Sequence, residues 1–132
     1  MNELLLLQRL RHPNIISLLG VSIDEQYNLY IITELYPELS LRDFLNSNKN
    51  LISMEVKFNI LFQIARALNY MHTLDPPIIH RDIKPLNIFI TSNYSAKIGD
   101  FGLAKEIHDH YKCSINTDTV STLEYMSPET LD

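Results

Sequence analysis

The chain has 132 residues, 45% of them hydrophobic, a formal net charge of −5 and one cysteine. That is the size of one small domain, with too much apolar content for a disordered tail. Acidic and basic residues are interspersed without a basic stripe, which excludes the electrostatic footprint of a nucleic-acid or anionic-membrane binder. Cys113 alone excludes an internal disulfide and fits a reducing compartment, so an intracellular, cytoplasmic location is expected.

The predicted elements run as follows. Residues 1–11 are helical in character, and the apolar run 4–7 is far too short to span a bilayer. No signal peptide is visible. His12-Pro13 stops the helix, because the residue before proline is pushed out of the α region. Residues 15–21 and 29–35 read as two strands around a polar turn. Ser40 with Asp43 forms a capping pattern that starts a short helix. Residues 53–72 give the clearest helix, with Ile60, Leu61, Ile64, Leu68 and Met71 at helical spacing. Residues 88–90 and 96–98 read as a β-hairpin. Residues 103–121 have no periodicity and read as a long mobile loop.

The densest chemistry lies between these elements. His80-Arg81-Asp82 is followed by Asn87 five residues after the aspartate, then by Asp100-Phe101-Gly102, then by Ser127-Pro128-Glu129. At about one in twenty per position, such a set coincides by chance far less than once in ~10⁹ windows. Taken singly, Asp82 is a loop carboxylate, Asn87 a turn residue and Asp100 a hairpin-end residue. The hairpin between them holds Asp82 and Asp100 at a set distance along the chain. His108, His110 and Cys113 form H-x-H-x-x-C. No fourth ligand with zinc-like spacing lies nearby, so solvated loop residues are the expected reading.

The order and spacing of these motifs resemble the eukaryotic protein kinases. The resemblance runs from residue 2 to residue 132. Residues 3–16 are similar to the end of the regulatory helix and its exit loop. Residues 29–35 resemble a strand entering the hinge, 40–45 the helix that follows, and 70–80 the helix entering the catalytic loop. Lys84, two residues after Asp82, is the wording of serine/threonine kinases. Residues 74–87 look most like the tyrosine-kinase-like group.

The resemblance implies roles. Asp82 orients the substrate hydroxyl and receives its proton, and Lys84 meets the transferring phosphate. Asn87 and Asp100 hold Mg²⁺ through hard oxygen ligands. Thr33 takes the gatekeeper position, Glu34 and Tyr36 offer backbone groups to the adenine of ATP, and Phe89 lies under it. Leu7, Leu18, His80 and Phe101 form an internal apolar stack. Glu3 is the helix carboxylate that would pair with a strand lysine. Arg81 either receives a phosphorylated loop or makes a structural salt bridge. Thr117 or Thr119 is the expected phosphorylation site, with Asp118 standing where relatives often carry it, four residues before Thr122.

The expected fold is α+β, the two-lobe protein-kinase fold truncated at both ends. Residues 1–33 would be a small-lobe remnant, 34–36 the hinge and 37–132 the first half of the large lobe. The expected activity is transfer of the ATP γ-phosphoryl group to serine or threonine hydroxyls of a protein substrate, with Mg²⁺. The three glycines, Gly20, Gly99 and Gly102, do not make a G-x-G-x-x-G loop, and no V-A-I-K segment is present. The 132 residues alone are therefore expected to be inactive and marginally soluble. A non-catalytic kinase-derived fragment or pseudokinase-like binding module remains open as the alternative. Ser127, Ser121 and Leu39 stand where relatives commonly carry Ala, Gly and Gly.

Overall fold

The computed structural model describes residues 2–35, 39–48, 51–107 and 123–125. Helix α1 covers Asn2–Arg9, followed by strands β1 (Leu18–Ile23) and β2 (Leu29–Thr33). Helices α2 (Leu41–Ser47) and α3 (Met54–His72) come next. Strand β3 (Ile78–Ile79), a 3-10 turn at Pro85–Asn87, and strands β4 (Ile88–Ile90), β5 (Ala96–Ile98) and β6 (Lys105–Glu106) complete the main body. The mixture of helices and antiparallel pairs bears out the α+β expectation.

Local chemistry explains the helix starts. Ser40 Oγ accepts from Asp43 N–H at 3.2 Å and donates to Asp43 Oδ2 at 2.6 Å. Ser53 Oγ accepts from Val56 N–H at 3.3 Å at the head of α3. Each cap satisfies an amide that has no partner in the first turn. Helix α3 then buries Ile60, Ile64, Ala67 and Met71, a stripe at helical spacing. These residues meet Leu6, Leu7 and Leu10 from α1 and its exit, and Ile88, Ile90 and Ile98 from the hairpin, in one core.

Two strand boundaries differ from the sequence expectation. The strand expected at 15–21 begins at Leu18, because residues 14–16 pair elsewhere. Ile15 bridges Ile98 in parallel, Ile98 N–H donates to Asn14 O, and Ile16 N–H donates to Ile98 O, both at 2.9 Å. The strand expected at 29–35 ends at Thr33, with one further ladder bond from Glu34 N–H to Ser17 O at 3.0 Å. Between β1 and β2, the Asp24 carboxylate accepts from Gln26 N–H and from Asn28 N–H and side-chain amide. Those bonds, Asn28 first, hold its pKa below the usual carboxylate value.

The segment 103–121, expected to lack structure, is ordered at its start. Lys105 and Glu106 pair antiparallel with Ile79 and Ile78, and Ile107 N–H donates to Pro77 O at 2.9 Å. A two-residue strand is too short for any period to show in sequence. The β1–β2 pair leaves Leu29 and Ile32 exposed and packs Ile31 against the core.

Candidate active site

Asp82 lies in the loop after β3 and is 9% exposed. Its Oδ2 accepts from Lys84 Nζ at 2.7 Å and from Asn87 Nδ2 at 2.9 Å. The same Asn87 amide also donates to Asp82 O at 2.9 Å, closing the loop on itself. Asp82 Oδ1 takes no hydrogen bond among the described residues. Asn87 ends a 3-10 turn that Pro85 starts, with proline's fixed φ suited to that position.

Asp100 is delivered by β5. Gly99 N–H donates to Asn87 O at 2.9 Å, which ties the residue before Asp100 to the residue that braces Asp82. Asp100 is exposed and has φ 58°, and Arg81 has φ 66°. Left-handed backbone at non-glycine residues costs of order 1–3 kcal/mol each and gathers at functional loops. Arg81 Nε donates to Leu103 O at 2.6 Å, and no carboxylate pairs with its guanidinium among the described residues.

His80 is 1% exposed and links the two halves. Its Nε2 lies 3.0 Å from Gly99 O and its Nδ1 lies 3.3 Å from Asp82 N. A carbonyl only accepts and an amide N–H only donates, so the ring is neutral with its proton on Nε2. Burial, foremost, pushes its pKa below the ordinary 6.5. The unfolded chain binds the proton first as pH falls, so this contribution to stability is full above pH 6.5 and is lost as pH drops toward the folded pKa. The melting temperature is expected to be flat from pH 7 to 8 and to fall below about pH 6.5, more steeply in the parent than in His80→Gln. Parallel profiles for the two would contradict the assignment.

His80 meets Phe101 edge-on, with centroids 4.8 Å apart. Phe101 and Leu7 are fully buried, and Leu18 is half-buried against the same core. The four residues expected to stack therefore share one interior.

Thr33, Glu34 and Phe89, expected on the nucleotide side, lie at the end of β2, just after it and on β4. Thr33 ends β2 opposite Leu18. Glu34 follows Thr33 and donates its N–H to Ser17 O at 3.0 Å. Its carboxylate pairs with Lys97 Nζ at 2.9 and 3.0 Å and accepts from Ser17 N–H at 2.6 Å. Sequence reasoning missed this side chain, since nothing local marks a pair 63 residues apart. Phe89 sits on β4 opposite Lys97. A Cβ on Gly99 would come within 2.8 Å of the Phe89 ring. Gly99→Ala is expected to cost about 1–3 kcal/mol of stability by overpacking. The cost should shrink in a Phe89→Ala background, as measured by denaturant unfolding; equal costs would contradict the clash.

Glu3 is half-buried on α1 and makes no ion pair among the described residues. Tyr36, Thr117, Asp118, Thr119 and Thr122 lie outside the described residues, as do His108, His110, Cys113 and residues 127–129.

The donor chemistry fits a magnesium nucleotide. Asn87 donates through its Nδ2, and its amide Oδ1, like the Asp100 carboxylate, is a hard oxygen of the kind that Mg²⁺ takes. Among the described residues no group of three or more His, Cys, Asp and Glu could hold a metal ion.

A family model described as the protein kinase domain matches residues 1–132. The chain belongs to the protein kinase family. It is 41% identical over 128 residues to a Dictyostelium discoideum protein named as a probable serine/threonine-protein kinase, covering 96% of this chain and 12% of that one. It is 35% identical over 130 residues to a serine/threonine-protein kinase of Arabidopsis thaliana, covering 98% and 26%. An L-type lectin-domain containing receptor kinase of the same plant is 37% identical over 131 residues, covering 98% and 19%. The chain thus spans between about an eighth and a quarter of these relatives' lengths. The first two names accord with the serine/threonine wording of Lys84. No helix among the described residues is long and apolar enough to cross a membrane.

Proposed function

We propose that this chain carries the catalytic segment of a serine/threonine protein kinase that transfers the ATP γ-phosphoryl group to a protein hydroxyl with Mg²⁺. The observation that carries the reading is the Asp82 carboxylate: Oδ2 is held by Lys84 and Asn87, and Oδ1 is left for a substrate hydroxyl.

In this reading Asp82 Oδ1 accepts the hydrogen bond of the incoming hydroxyl and takes its proton as the new P–O bond forms, while the γ-phosphorus parts from the β,γ-bridging oxygen and ADP leaves. Lys84, already beside Asp82, supplies a mobile cation next to the transferring charge. Asn87 Oδ1 and the Asp100 carboxylate would hold the metal. Mg²⁺, when bound, neutralises charge on the β- and γ-phosphates. Thr33, Glu34, Tyr36 and Phe89 border the adenine. Glu3 awaits a strand lysine, and Arg81 awaits a phosphorylated Thr117 or Thr119, with Asp118 standing four residues before Thr122 where relatives often carry the site.

Residues 1–33, 34–36 and 37–132 are assigned to small lobe, hinge and large lobe, and the protein works inside the cell. In a protein carrying a complete kinase domain, radiolabelled ATP and a generic basic protein substrate test the reading. Label on serine or threonine that disappears in Asp82→Asn supports it. Nucleotide binding without transfer would favour the non-catalytic, pseudokinase-like alternative.

A further inference from the structure

Arg9, the last residue of α1, makes contacts that the site described above does not use. Its Nη1 pairs with Glu106 Oε1 on β6. Its Nη2 donates to Asp75 O at 2.9 Å and to Pro76 O at 3.2 Å, in the turn that leads from α3 into β3. Three segments far apart in sequence therefore converge on one guanidinium. Strand β3 runs directly into His80-Arg81-Asp82, and β6 begins three residues after Gly102.

We propose that Arg9 is a positioning residue for phosphoryl transfer, a three-way clamp that holds α1 in register with the segments carrying Asp82 and Asp100. The proposal deepens the kinase reading and rests on it. Its physical basis is geometric. The guanidinium is a planar fork with five donors, which lets one side chain serve a carboxylate and two carbonyls; a lysine ammonium lacks that fork. Arg9 sits at the C-terminal end of α1, where a cation is favoured by the helix dipole. Its side chain is 30% exposed and that of Glu106 25%, so both are partly shielded from solvent. Ile107 N–H to Pro77 O and the β3–β6 pairing make the far side of the clamp one unit. A shift of α1 by an ångström would break bonds to both segments at once, and misplacements of that size are costly to in-line transfer.

The test is a double-mutant cycle in a protein with a complete kinase domain. Arg9→Met keeps the length and loses the donors. It is expected to lower kcat about tenfold through misalignment, with KM for ATP and substrate within about twofold. Glu106→Gln should lower kcat less, and the double variant should be no worse than Arg9→Met alone, because both changes break the same contact. Hydrogen exchange in the nucleotide-free protein supplies a readout independent of turnover. Arg9→Met should speed amide exchange in both α1 and residues 105–107. Additive losses in kcat, or faster exchange confined to α1, would overturn the clamp. A parent without Asp82-dependent transfer would sink the kinase reading instead, and the exchange pattern would still decide the clamp.

Discussion

Asp82→Asn is expected to lower kcat by about 10²–10⁴-fold, the contribution of a positioned general base. The substitution keeps the size of the side chain but removes its capacity to take a proton. It also disturbs the brace, because Lys84 and Asn87 both donate to the same carboxylate oxygen. An amide there can present its oxygen to those two donors. It then turns its NH₂ toward the position of Oδ1, where the substrate hydroxyl is to donate. The loss should appear in kcat with little change in KM for ATP, since Asp82 is assigned to the hydroxyl rather than the nucleotide. A thermal melt of the variant close to that of the parent would show that the loop remains built. A turnover rate within about threefold of the parent would remove Asp82 from the role of base.

Gln63→Leu is expected to lower stability by about 2–4 kcal/mol, a large share of the ~5–15 kcal/mol available to a folded protein. Gln63 Oε1 accepts from Asn14 Nδ2 at 2.8 Å, from Ala96 N–H at 2.9 Å and from Ser95 Oγ at 3.4 Å. Its Nε2 donates to Tyr94 O at 3.2 Å. Leucine fills similar space but leaves the Ala96 amide, on a residue with no exposure, without its acceptor. The buried Asn14 amide keeps its bond to Ala96 O at 2.9 Å but loses the other. Each unsatisfied buried group costs about 1–3 kcal/mol. Gln63→Glu keeps the acceptor and gives up only the donor to Tyr94, so its loss should be clearly smaller. Denaturant unfolding of both variants distinguishes them. Equal losses, or less than about 1 kcal/mol for leucine, would show that packing rather than the shared acceptor sets the cost.

The residues behind the two predictions were unequally legible in the sequence. Asp82, Lys84 and Asn87 lie within six residues, so their spacing alone placed them in one loop. Gln63 sits among residues 53–72, where the apolar period reads clearly and an interrupting polar residue reads as solvated. Its partners, Asn14 and Ala96, are 49 and 33 residues away.

By itself the sequence determined the family, the order of the motifs, the long helix α3 and the β4–β5 hairpin. Each of these is written in short-range pattern: helical period in α3, a tight turn between β4 and β5, and reactive residues at close spacing. Tertiary structure alone decided that residues 14–16 join β5 rather than β1, and that Lys105–Glu106 form a strand with Ile78–Ile79. It also decided that Glu34 pairs with Lys97 and that Arg9 gathers Glu106, Asp75 and Pro76. The reason is physical. A bridge of one or two residues has no period, and a charged or amide side chain is chemically the same whether it faces water or a partner. Which of the two it faces is set by the packing of apolar elements around it, and that packing exists only once the chain has folded.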